Sequence, residues 1–103
     1  MIVYVLFEKG PDGDECLGVY ADKNVAIDFA KNALTKYIPG ILDQIVHYDR
    51  LSTRNDVWIK QCSEHALMAR KSLEKGIYIT ENSNSVDVSL YRYGYRINEE
   101  MVK

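Results

Sequence analysis

The sequence predicts an α+β fold, ββ-α-α-α-ββ, in which two β-hairpins bracket a helical middle. Three observations predict it. Residues 2–8 and 16–21 are rich in β-branched and aromatic side chains and flank a turn sequence. Residues 22–75 instead repeat apolar side chains every three or four positions, and residues 77–97 return to a β composition. A four-stranded antiparallel sheet with the helices on one face buries both patterns in a two-layer core. At 103 residues the chain is expected to be a single domain over 1–103.

The first strand, IVYVLFE over 2–8, is apolar on both alternating rows, so both of its faces are expected to be at least partly covered. KGPDGDE over 9–15 is a turn: Pro11 fixes φ, and Gly10 and Gly13 accept positive φ. CLGVYA over 16–21 returns as the second strand. Asp22 is placed as the N-cap of a first helix whose stripe is Val25, Ala26, Phe29, Ala30, Ala33, Leu34 and Tyr37. Pro39 and Gly40 end it. Ile41, Leu42, Ile45 and Val46 predict a short second helix with Pro39 in its first turn, and a buried strand over 41–48 competes with it.

Thr53 and Asp56 resemble a capping box opening a third helix over roughly 54–75, with Trp58, Cys62, His65 or Ala66, Ala69 and Leu73 along one face. Lys71 and Lys75 suit the negative end of its dipole, and Gly76 is a natural residue just past its end. Residues 77–80 form the third strand and ENSNS over 81–85 a hairpin loop. The fourth strand runs from Val86 to about Ile97.

Composition narrows the function. Hydrophobic residues at 47% and charged residues at 27% are those of a globular chain. There is no apolar run of membrane length, and MIVYVLFEKG lacks a basic leader, so a cytoplasmic protein without membrane contact is expected. Cys16 and Cys62 read as free thiols of a reducing compartment. Scattered histidines and cysteines do not make a metal site, and no cofactor motif is present; the expectation is no metal and no cofactor.

Catalysis finds little support. Cys62 and His65 stand at i and i+3 but lie on the apolar stripe, without an oxyanion loop beside them. His47 is a lone candidate base. Gly10-Pro11-Asp12-Gly13 carries acids where a phosphate loop needs lysine and free backbone donors. The net charge of −2 disfavours nucleic-acid binding, although charge is segregated: residues 8–28 hold six acids and two bases, residues 50–75 six bases and three acids. A basic helix face over 54–75 with Arg54, Lys60, Arg70 and Lys71 is the alternative function, and a small enzyme using His47 or His65 is the second alternative.

The most informative stretch is SLYRYGYRIN over 89–98. In a continuous strand Val86, Val88 and Leu90 make one row, and Tyr91, Tyr93 and Tyr95 stand on the other. If the first row faces the helices, the tyrosines form an exposed platform, with Arg92 and Arg96 flanking Gly94 on the helix side. A bulge near Leu90 or Gly94 would swap the rows. Tyrosine and arginine are enriched at binding hot spots. The plain alternative is that the rings simply shield the sheet from water.

The entry G-V-Y-A-D into the first helix, the loop KGPDGDE and the run YRYGYRI give a layout that resembles small, acidic, tyrosine-rich α+β proteins of bacteriophages, among them anti-defence and anti-CRISPR inhibitors. That resemblance implies a cofactor-free inhibitor that binds and blocks a host protein or complex. The expected function is therefore a non-enzymatic protein-binding module, with Tyr91, Tyr93, Tyr95, Arg92, Arg96, Asp12, Asp14 and Glu15 as partner contacts and a homodimer as a related outcome.

Overall fold

The structure, a computed structural model, describes residues 1–52 and 56–102, and for residues 52 and 56–60 the backbone alone. The described elements are β1 (Ile2–Glu8), β2 (Glu15–Tyr20), α1 (Lys23–Thr35), α2 (Ile38–Ser52), α3 (Asp56–Lys75), β3 (Tyr78–Glu81), β4 (Ser85–Leu90) and β5 (Tyr93–Met101). They fall into two compact units: Met1–Thr35 with the strands after Ile77, and Lys36–Gly76.

The first unit is one antiparallel sheet in the order β2-β1-β5-β4-β3. It has five strands where four were predicted. The extra one arises because the stretch after Val86 is not continuous: Leu90 lies directly opposite Tyr93, and Tyr91 and Arg92 make a two-residue turn. The favoured two-residue hairpins need positive φ at their first turn position, normally supplied by glycine or asparagine. Here Tyr91 adopts φ 55°, at a cost of about 1 kcal/mol. The sequence places its glycine three residues later, so the usual turn signal is missing.

Directly paired residues share a face of the sheet. Val86, Val88 and Leu90 therefore face the same way as Ile97, Tyr95 and Tyr93, and Leu6 joins them opposite Ile97. Apart from the half-buried Tyr93, this row is buried. α1 touches β1, β2, β4 and β5 and buries Ala26, Ile27, Ala30 and Leu34. The expected stripe thus turns by about one position, leaving Val25 52% and Phe29 46% exposed. The two small alanines let the helix approach the sheet closely, and Phe29 sits at the margin with its ring 6.3 Å from that of Tyr20. The predicted cap forms: the Asn24 N–H donates to Asp22 Oδ1 at 2.8 Å. The hairpin turn also closes, with the Gly13 N–H donating to the Gly10 carbonyl at 3.3 Å. Only Gly13 of the two takes positive φ, at 124°.

The second unit is a helical hairpin of α2 against α3. Residues 41–48 are helical, which decides against the competing strand, and Pro39 lies in the first turn of α2 as its missing N–H allows. Ile41 and Ile45 are buried in α2, and Cys62, Ala66 and Ala69 in α3. Leu42 and Val46 stay exposed, so the stripe is narrower than expected. Arg70 donates to the Asp49 carboxylate between the two helices. The proposed capping residue Thr53 and the side chains of Asp56 and Trp58 lie outside the described residues.

Gly76 ends α3 with φ 75°, its N–H donating to the Ser72 carbonyl at 2.9 Å. A Cβ there meets nothing within 4 Å. Gly76→Ala should therefore lose about 1 kcal/mol through backbone strain alone, read as a fall of about 4–8 °C in melting temperature. An unchanged melting curve would contradict the left-handed end of α3.

Candidate interaction surface

The two-residue turn redistributes the residues expected to form the tyrosine platform. Tyr91 sits in the turn itself, with its hydroxyl buried and without a hydrogen-bond partner among the described residues. The exposed Arg92 lays its guanidinium 5.2 Å from the Tyr91 ring centroid. Tyr93 is half-buried on the face of Leu90, and Tyr95, opposite Val88, is only 4% exposed. The expected row of three exposed rings does not form. Two turn residues between directly paired positions restart the alternation, so Tyr93 and Tyr95 join the face of Val86, Val88 and Leu90 instead of opposing it.

What the opposite face carries follows from the same register. Val3, Val5 and Phe7 of β1 lie there, with Val19 beside Val5 and Cys16 beside Phe7. The three β1 side chains are half-buried, Val19 is 61% exposed and Cys16 is exposed. Leu17 is the additional residue of a bulge between the Leu6–Gly18 and Phe7–Cys16 pairs, and it is 39% exposed. The apolar character of both rows of β1 was the sequence signal for this surface. The part played by β2 was not anticipated.

An ion cluster lies on the same face. Asp87 stands directly opposite Arg96, whose Nε donates to Asp87 Oδ1 at 3.2 Å, and Lys9 Nζ reaches the same oxygen at 2.8 Å. Lys9 arrives from the end of β1 by passing over Gly94, where an added Cβ would stand 3.4 Å from Lys9 Cδ. The Lys9 N–H also donates to the Gly94 carbonyl at 3.0 Å. Glycine in YRYGYRI thus gives the lysine a path across β5. Partial burial by itself would raise the Asp87 carboxyl, but the hydrogen bonds and charges of Lys9 and Arg96 outweigh it and hold the pKa below the ordinary 3.8. Arg96 is therefore committed to a structural pair.

The acidic residues Asp12, Asp14 and Glu15 are exposed in and beside the β1–β2 loop. Because Glu8 lies opposite Tyr95 and Lys9 bonds to Gly94, this loop and the Tyr91–Arg92 turn share one end of the sheet. Glu8 and Glu15 face each other directly across β1 and β2, a like-charge pair that opposes pairing. No ion pair is formed by Glu8, Asp12, Asp14 or Glu15 among the described residues.

Tyr48 stacks on His65 with centroids 5.2 Å apart, and the His47 ring lies 5.9 Å from Tyr48, an aromatic cluster within the helical hairpin. Cys62 is buried. Of the basic helix face, Arg70 is paired to Asp49 and Lys71 is exposed, while Arg54 and the side chain of Lys60 lie outside the described residues. Among the described residues, no three histidines, cysteines or acids gather as metal ligands. A polar cleft of about 40 Å³ is lined by Tyr4, Lys23, residues 82–86, Ile97 and Glu99, far smaller than small-molecule sites. No helix among the described residues is long and apolar enough to cross a membrane.

No known family model matches the sequence, and no curated protein or solved structure is significantly similar to it.

Two outcomes test this geometry. Tyr95→Ala should lose about 3–5 kcal/mol, as large aromatic-to-alanine changes in cores do; an unchanged melting temperature would return Tyr95 to the surface. Because the folded pKa of Asp87 is lowered, its contribution is present above 3.8 and is lost as pH falls from there through the folded value. Asp87→Asn should therefore melt about 4–8 °C below the parent at pH 7, a loss of about 1 kcal/mol, and the gap should narrow as pH falls below 3.8 and close once the folded carboxyl is protonated. A gap that persists at low pH would mean the carboxylate pairs are not its source.

Proposed function

We propose that this chain is a non-enzymatic protein-binding module whose contact surface is the β1–β2 side of the sheet together with the acidic loop at its end. The observation that carries the reading is Val19. A β-branched side chain 61% exposed one residue before the end of β2, paired with Val5 and near Phe7, Cys16 and Leu17, gives an apolar strip at the sheet margin. Asp12, Asp14 and Glu15 lie at one end of that strip, with Arg92 on the neighbouring turn. The strip supplies area to desolvate, and the charges supply steering and register. Tyr91, Tyr93 and Arg96 act in this reading as supports of the surface and not as its centre.

The resemblance to phage inhibitors, carried into this reading, makes the partner a host defence protein that is blocked by occupancy alone. No cofactor or bond chemistry is required of the chain.

The test is affinity capture from a lysate of the cells in which the protein acts, run in parallel with the parent, Val19→Glu and the triple change Asp12→Lys, Asp14→Lys, Glu15→Lys. Both variants alter exposed side chains, so their melting temperatures should stay near that of the parent. A protein retained by the parent and lost from both variants is the expected result. Identical captured sets from all three baits would refute the surface.

A further inference from the structure

β2 is an edge strand, paired on one side with β1 and on the other with nothing in the described sheet. An edge leaves a row of backbone N–H and C=O groups open to a further strand, and chains usually guard such edges with charge, proline, a bulge or shortness. The far edge, β3, is only four residues long and ends in Glu81, which pairs with Lys23 at 3.9 Å. β2 is six residues long, and Cys16–Tyr20 within it contains neither a charge nor a proline. The bulge at Leu17 interrupts the ladder, which limits the open edge to a short guest.

The charge around this edge says which guest. From Asp12 to Asp22 the chain carries four acids and no base. Glu8 adds a fifth, directly opposite Glu15, and Lys9, the nearby cation of the loop, is held by Asp87. A second copy of the chain would bring the same negative segment against itself. A basic guest would instead relieve the Glu8–Glu15 repulsion.

We infer that the β2 edge of the sheet takes up an extended, basic peptide segment of the partner protein as a sixth strand, with alternate apolar side chains of the guest settling beside Val19 and Cys16. Main-chain hydrogen bonds then give affinity, the apolar strip gives register and the acidic loop selects for lysine or arginine. This rests on the protein-binding reading and specifies its mode.

The experiment uses the full chain and a synthetic peptide alternating valine with lysine and arginine, followed by amide chemical shifts and by fluorescence anisotropy. Three probes are compared: the basic peptide, the same peptide with N-methylated valines, and one with glutamate in the basic positions. The expected result is saturable shifts centred on Cys16–Tyr20 with the first probe only. The Asp12, Asp14, Glu15 charge reversal should weaken it by about tenfold, the sum of three exposed ion pairs. Shifts elsewhere, equal binding of the N-methylated or acidic peptide, or no shift at millimolar peptide would overturn strand addition. So would a parent chain that dimerises through β2, seen as concentration-dependent sedimentation abolished by Val19→Glu. If the peptide fails while the lysate protein is still captured in a Val19-dependent way, only this mode falls. If nothing is captured, the protein-binding reading itself falls.

Discussion

The direct pairing of Leu90 with Tyr93 sets the phase of the whole sheet. Side chains alternate strictly along a strand, so the length of the connection decides which residues of β5 share a face with β4. With two residues in the turn, Tyr95 and Ile97 align with Val88 and Val86, and Ile97 then meets Leu6 across the next ladder. The core that α1 covers consists of these residues. The same phase puts Arg96 opposite Asp87 and Gly94 under Lys9, so the ion cluster on the other face follows from one turn. Tyr91 at φ 55° carries the conformational cost of that arrangement.

The two faces are stabilised by different physics. On the α1 side the contribution is apolar burial, with alanines bringing helix and sheet together and Leu6, Val88 and Ile97 excluded from water. On the other side Asp87 accepts from both Lys9 and Arg96, and Val3, Val5 and Phe7 are only half-buried. A surface that is partly apolar, partly ionic and bounded by a strand edge open over a short stretch has the mixture from which protein interfaces are made. The acidic loop adds a directional field at one end.

With Tyr95 turned inward, the candidate surface lies along the second strand and not the last one. Tyr95 is large, aromatic and suited to a hot spot, but those same properties make it a core residue when the phase places it inward. Val19 gives no comparable signal in the sequence, since a valine in a strand is ordinary. Only its position on an edge, on the face away from α1, gives it weight.

By itself the sequence determined the α+β class, the first hairpin, the Asp22 cap and the glycine end of α3, while it left residues 41–48 open between helix and strand. Each is decided within a few residues by dihedral preference, capping or periodicity. The number of strands, the face of Tyr95, the rotation of the α1 stripe and the exposure of Val19 were decided by tertiary structure. These depend on register between distant segments, as in the pairing of Leu6 with Ile97, and on the cost one strained turn residue bears. Local sequence encodes the first kind of preference directly. It encodes the second only through the sum of contacts that a register buries, which is why a tyrosine turn without a glycine reads as a continuous strand.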